Sequence, residues 1–293
     1  MNKHVGDLSM DVPVLGPCRV ASPLALSVVD NDFVPNYVED DAAVQYASFH
    51  GDGPLDPTES FEAAGPRRMI HFDPRKIRAG VVTCGGLCPG INNVVTAIVN
   101  ELVNEYGVRS VVGFRYGYAG LSAKEGHETW DLTPQFVRDW NLKGGSVLGS
   151  SRGPQDPEDM LDTLEQLNVN ILFTIGGDGT LRGARALYEA VQNRRAHIAI
   201  VGVPKTIDND IPFIQKTFGF ETAVAKAAEA ITAAQIEAEG AWRGVGLVRL
   251  MGRLSGYIAT HAALAAGSTD VVLIPESPFA LEGENGLYEV VER

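Results

Sequence analysis

From Lys76 onward, short apolar runs alternate with helical stretches, and most of the apolar runs end in glycines. That rhythm is the mark of βαβ units, and it commits the chain to α/β architecture with a doubly wound, mostly parallel sheet. Residues 78–83 read as a strand, 84–90 as a glycine turn and 92–106 as a helix with apolar residues at helical spacing. Further strands are expected at 109–114 and 171–175, and further helices at 134–143 and 181–192. Asp156-Pro157 opens another helix, a side-chain cap followed by proline at the first helical position. Beyond these lie a long Ala-rich helix at 222–239, strands at 245–251 and 270–275, and a helix between them at 254–266. The chain ends at Arg293 inside what reads as another helix.

The most polar strand end follows the run 198–204. There Lys205, Thr206, Asp208 and Asp210 arrive in quick succession. Ligands of parallel α/β sheets collect at the carboxyl ends of strands, so this cluster stands where chemistry is expected. In extended chain the two aspartates would face one side, with an ammonium nearby to hold a phosphate while one carboxylate takes a proton. The competing reading is an Asp-rich turn, which Asp and Asn favour for local backbone reasons. Thr83-Cys-Gly-Gly-Leu-Cys-Pro-Gly is a second turn whose amides can approach an anion, though it matches neither the dinucleotide fingerprint nor the P-loop. Gly176-Gly-Asp-Gly-Thr places Asp178 among glycines, either as a magnesium carboxylate beside phosphates or as the cap of the next helix. Arg152 and Arg253, each next to glycine, are candidate phosphate forks or plain surface charges.

Composition excludes several classes. Hydrophobic residues make up 45% and charged residues 21%, as in globular proteins, and a net charge of −13 disfavours nucleic acid and anionic membranes as partners. No apolar run has the length of a spanning helix. The cysteines are Cys18, Cys84 and Cys88, a sparse odd set that suits a reducing, cytoplasmic setting and offers no zinc spacing. Residues 1–75 carry scattered Pro, Gly and acidic residues and resemble no targeting peptide. They read as an irregular extension that packs on the body or on a neighbouring subunit.

In order, TCGGLCPGINN, GSSRG, GGDGT, PKTIDNDI, MGRLSG and the IPE of residues 274–276 resemble the 6-phosphofructokinases. The resemblance runs from about Gly65 to the last residue. It is nearest to the ATP-dependent branch of plants and trypanosomatids, which shares the extension, an AGPR like 64–67 and an IPESPF like 274–279. It implies two Rossmann-like lobes: residues 76–217 binding the phosphate donor, and residues 218–293 forming part of a sugar-phosphate lobe after the extension at 1–75. It also implies phosphoryl transfer from ATP to the 1-hydroxyl of fructose 6-phosphate, with Mg2+ as cofactor, in a homo-oligomer, dimer or tetramer. By resemblance Asp208 is the base, supported by Asp210 and Thr206, with Lys205 and Arg253 in the same catalytic group. Gly85, Arg152, Gly153, Gly177, Asp178, Gly179 and Thr180 line the donor, and Asp178 sits at the metal. Thr206, Ile207, Asp208, Met251, Gly252, Arg253 and Glu276 hold the sugar phosphate.

Gly179 favours ATP, because pyrophosphate-using relatives carry a crowding aspartate there, whereas Lys205 is shared with those relatives. Members of the family continue past residue 293 with elements that return to the first lobe, so this chain is expected to be a fragment of low isolated activity. The alternatives are a pyrophosphate-dependent enzyme and a noncatalytic sugar-phosphate binder. A serine hydrolase using Ser151, in a G-x-S-x-G pattern with His197 or His261, is a third; the prolines at 154 and 157 delay the helix that an elbow requires.

Overall fold

The computed structural model describes residues 12–29, 31–45, 60–284 and 286–292. The Gly51-Asp-Gly-Pro run of the extension lies outside the described residues. The remainder of the extension forms short antiparallel ribbons. β1 (Val20–Ala21) and, further on, β2 (Ala43–Gln45) are followed by β3 (Ser60–Glu62) and β4 (Met69–Ile70). β2 pairs with β3, and β1 with β4. Arg67 ties this region together, donating to the carbonyls of Glu39 at 2.9 Å and Ala63 at 2.6 Å.

The body starts with β5 (Arg78–Thr83), which leads through the glycine turn into α1 (Ile91–Asn100) and then β6 (Ser110–Phe114). The helix expected to reach Tyr106 does so only by widening into a π-helical turn at Glu101–Glu105. β7 (Thr129–Asp131) adds an antiparallel edge. The single helix expected at 134–143 is split into α2 (Pro134–Val137), capped by the Thr133 hydroxyl, and a 3-10 turn at Trp140–Leu142. The break lets Val137 and Trp140 both reach the core. α3 (Pro157–Gln166) begins as expected, with the Asp156 side chain accepting from the Glu158 amide. β8 (Ile171–Gly176), α4 (Asp178–Arg194) and β9 (Ala199–Pro204) complete the sheet.

The strand order is β7-β6-β5-β8-β9, with β5, β6, β8 and β9 mutually parallel. The chain starts in the middle, winds outward to β7 and then returns to the other side of β5. The order therefore reverses between β5 and β8, and in sheets of this kind ligands bind in the crevice outside the carboxyl ends of the strands at such a switch point. Alternate residues of β5 feed cores on opposite faces. Val82 joins Phe114, Leu172 and the α3–α4 side chains Met160, Leu161, Leu164 and Leu187. Ala79 and Val81 join Val95, Val99, Ile175 and Trp140 on the α1 side. Arg194 at the end of α4 clasps α3 through Glu158, Asp162 and Glu165.

After the sheet, α5 (Phe220–Gly240) and α6 (Tyr257–Ala266) pack together, and α7 (Leu287–Glu292) follows. Phe220, Ala227, Ile258 and Ala262 form a separate small core, joined by Ile207 and Leu250. The strands expected at 245–251 and 270–275 are unpaired among the described residues, because a strand needs a neighbour's backbone and these runs find none. Leu247 is 88% exposed. No described helix is long and apolar enough to cross a membrane.

Gly80 marks the tightest point of the central strand. A Cβ there would lie 2.8 Å from Phe114 and 3.1 Å from Leu172, both fully buried. Gly80→Ala is expected to destabilise the protein by about 1–3 kcal/mol through overpacking, read as a lower denaturant midpoint.

Candidate active site

The turn after β5 is laced to the 149–152 segment before it meets anything else. The Thr83 hydroxyl lies 2.6 Å from the Gly149 carbonyl, the Gly85 amide donates to Ser151 O at 3.1 Å, and the Ser150 hydroxyl donates to Gly85 O at 2.6 Å. This holds Arg152 over the turn: a Cβ on Gly86 would be 3.8 Å from its guanidinium. Gly85 has a left-handed φ of 79°, and its missing side chain would sit 3.9 Å from both Lys205 Nζ and Thr180 Oγ1. Three strand-end loops therefore meet at one glycine.

Lys205 closes that junction. Its amide continues the β8–β9 ladder by donating to Gly176 O at 2.9 Å, and its ammonium donates to Gly86 O at 2.6 Å. It is 5% exposed, and desolvation lowers its pKa from the ordinary lysine value, partly offset by the Cys88 and Cys84 thiols and by Asp208, while Arg152 acts in the same direction as burial. Burial pushes the Cys84 thiol up to about 12, and Cys88 is raised for the same reason, so neither is poised as a thiolate. Gly177 to Thr180 begin α4 beside this junction, and a Cβ on Gly177 would lie 3.1 Å from Lys205 O. Asp178 is the first residue of the helix, with its side chain 85% exposed and paired to Arg182 at 2.7 Å. Around Gly179 and Gly153 there is open space, since a Cβ at either would meet nothing within 4 Å.

Of the two geometries open for Thr206–Asp210, extended chain or an Asp-rich turn, the structure takes the turn. The Thr206 hydroxyl donates to Asp210 Oδ1 at 2.7 Å and accepts from the Asp208 amide at 3.1 Å, which folds the segment into a turn. Asn209 takes a left-handed φ of 55°, held there because its side chain bonds Gln215 O and the Thr217 amide. The two aspartates consequently have different environments. Asp210 is exposed and engaged by Thr206, whereas Asp208 Oδ1 is buried without a hydrogen-bond partner among the described residues. The Asp208 pKa is raised, first by burial and then by Asp210, against the opposing pull of Arg253 and Lys205. Ser255 donates to the Asp208 carbonyl at 2.9 Å, and the next residue, Gly256, donates to both carboxylate oxygens of Glu276 at 2.8 and 3.0 Å. Those bonds bring the segment of Arg253 and, through Gly256, Glu276 near Asp208, on a turn that needs Gly252 at φ 114°. Met251 is exposed, and Ile207 turns away into the small core with Phe220.

The structure thus gathers the candidate residues along the carboxyl edge of β5, β8 and β9 and the start of α6. Asp178 and Asp208 follow adjacent strands on that one edge. Ser255 and Asn209 do unassigned work there; each was visible in MGRLSG and IDND but gave no local signal of its distant partner. The hydrolase reading loses its base. Ser151 Oγ contacts the Ala119 amide, His197 pairs with His71, and His261 bonds Tyr257 O on α6.

Because folding raises the Asp208 pKa, its contribution to stability is present below the unfolded value and is lost as pH rises through the folded value. Asp208→Asn is therefore expected to raise the melting temperature at neutral pH, by an amount that shrinks as the solution is acidified towards ordinary carboxylate titration.

The phosphofructokinase family model matches residues 78–293. An ATP-dependent 6-phosphofructokinase of Amycolatopsis methanolica is 50% identical over all of this chain and 64% of its own length. ATP-dependent 6-phosphofructokinase 7 of Arabidopsis thaliana is 45% identical over 99% of this chain and 58% of its own. This chain thus spans about 60% of the length of these relatives. Among solved structures, a pyrophosphate-dependent phosphofructokinase from Marinobacter aquaeolei superposes with a TM-score of 0.61 at 23% identity, over 69% of this chain and 54% of that one, a likeness of fold. The matched span contains the sheet and every strand-end loop of the site: the chain belongs to the phosphofructokinase family.

Proposed function

We propose that the protein of which this chain forms part transfers a phosphoryl group from ATP to the 1-hydroxyl of fructose 6-phosphate. The observation that carries this reading is the Asp208 carboxylate, whose buried oxygen has no hydrogen-bond partner among the described residues and whose field includes Arg253 and Lys205. An unpartnered carboxylate with a raised pKa is suited to accept a hydroxyl proton, and the arginine beside it to hold an anionic sugar. Residues 76–217 serve as the donor lobe, with Gly85, Arg152, Gly153 and Gly177–Thr180 around the phosphates. Met251 to Arg253 and Glu276 serve the sugar phosphate in the segment 218–293. The amides of the glycine turn that would face the anion are fixed by the fold's hydrogen bonds, so they need little reorganisation when charge develops, whereas Arg152 and Arg253 are exposed side chains that would close on it.

Asp178 fits a magnesium ion of the kind carried in with phosphates. It is a single exposed carboxylate at a helix start, and no cluster of three acidic, histidine or cysteine ligands accompanies it among the described residues. Bound there, the ion would neutralise charge on the donor phosphates. Asp178 would exchange its Arg182 partner for it.

The open space at Gly179 supports ATP over pyrophosphate, since a nucleotide's inner phosphate needs that room. Lys205 is the feature shared with pyrophosphate users, and donor-resolved assays separate the two. We expect turnover with ATP and none with pyrophosphate alone. Asp208→Asn is expected to cut kcat by ~10²–10⁴-fold with fructose 6-phosphate binding retained. A near-normal rate would refute the assignment.

A further inference from the structure

We propose that His71 and His197 form a binding site for a divalent transition-metal ion, fastening the N-terminal segment to the amino edge of the sheet. His71 follows β4, and His197 lies between α4 and the start of β9. The six residues of β9 separate the pair from Lys205 by about 20 Å. This site is therefore independent of the phosphoryl-transfer reading.

The two Nε2 atoms are 2.7 Å apart. The ring centroids are 4.8 Å apart at an interplanar angle of 61°. Phe72 meets both rings edge-on, at 4.9 and 5.1 Å, which limits their rotation. His71 Nδ1 lies 3.2 Å from Pro17 O, and a carbonyl only accepts, so this nitrogen carries the proton. The neutral ring then directs its Nε2 lone pair at His197. A backbone carbonyl holding the remote nitrogen is the usual support of a metal-ligating histidine, because it fixes the tautomer and the ring plane.

Without metal, His197 supplies the Nε2 proton shared between the rings. Its own Nδ1 has no protein partner among the described hydrogen bonds, so the proton is free to sit there instead. In that tautomer two lone pairs face each other, an arrangement that a cation stabilises. Zinc–imidazole bonds of ~2.0–2.1 Å in tetrahedral geometry need the nitrogens roughly two thirds of an ångström further apart than they are. His197 is exposed, which leaves solvent room for the other ligands. No third acidic, histidine or cysteine ligand completes the set among the described residues. Two imidazoles plus water suit Zn2+, Ni2+ and Cu2+ and not Mg2+, which prefers oxygen. An ion held there would join the Pro17–His71 region to the α4–β9 junction and stabilise the folded state by mass action.

The test is calorimetric titration of the tag-free 293-residue chain with Zn2+. One ion per chain is expected, with a higher melting temperature at saturation. His71→Gln and His197→Gln should each weaken binding by at least ~10-fold, whereas His127→Gln should not. A measurement on the unsubstituted chain guards against misfolded variants: Zn2+ should protect His71 and His197, and not His127, from diethyl pyrocarbonate as read by mass spectrometry. Absence of Zn2+ binding, binding that His197→Gln retains, or failure to protect this pair would each overturn the proposal.

Discussion

The bond from the Lys205 ammonium to the Gly86 carbonyl is the contact on which the site depends. It joins the loop after β9 to the turn after β5 across the intervening strand β8. A lysine at 5% exposure is costly to keep charged; the Gly86 carbonyl accepts from it and Asp208 favours its charge, while desolvation still lowers its pKa. The glycine turn is thereby held beside Thr180 and the segment that carries the exposed Arg152, so its amides are fixed in place. Ser150 and Thr83 brace the same turn from the other side. The crevice at the point of strand reversal is thus walled by hydrogen bonds between segments far apart in sequence.

Function and stability pull against each other at the neighbouring turn. Asn209 sits in a left-handed conformation that L residues seldom adopt, and Asp208 Oδ1 is buried with no hydrogen-bond partner among the described residues. Both features are unfavourable in isolation. They persist because Asn209 is bonded to Gln215 and Thr217, Ser255 holds the Asp208 carbonyl, and Ile207 anchors the loop in a core with Phe220. The loop is consequently a joint between the sheet and the α5–α6 pair, with Asp208 at the joint.

The outlying parts of the chain show how far a local pattern reaches. The apolar runs at 245–251 and 270–275 have strand-like composition, yet neither is paired among the described residues. Strand formation is decided by the availability of a second backbone, and side-chain pattern carries no information about that. The opposite case is the N-terminal segment. It has no periodicity to read, and still Val20–Ala21 pairs with Met69–Ile70 and His71 meets His197 more than a hundred residues away.

What the sequence determined by itself was the parallel strands β5, β6, β8 and β9 with the loops at their ends; the edge strand β7 and the split of the helix expected at 134–143 were not legible in it. Apolar periodicity, glycine turns and the Asp156-Pro157 cap are local signals, and the motif order is specific to one family. What only the tertiary structure decided was the division of labour among those residues. Thr206–Asp210 is the turn and not the extended segment that the sequence left equally open, Asp210 is occupied by a hydroxyl, Asp208 is desolvated, and Glu276 is linked to the Asp208 segment through Gly256 and Ser255. Desolvation and long-range hydrogen bonds arise from which distant segments come to share a space, and nothing in the neighbouring residues of a linear sequence encodes that directly.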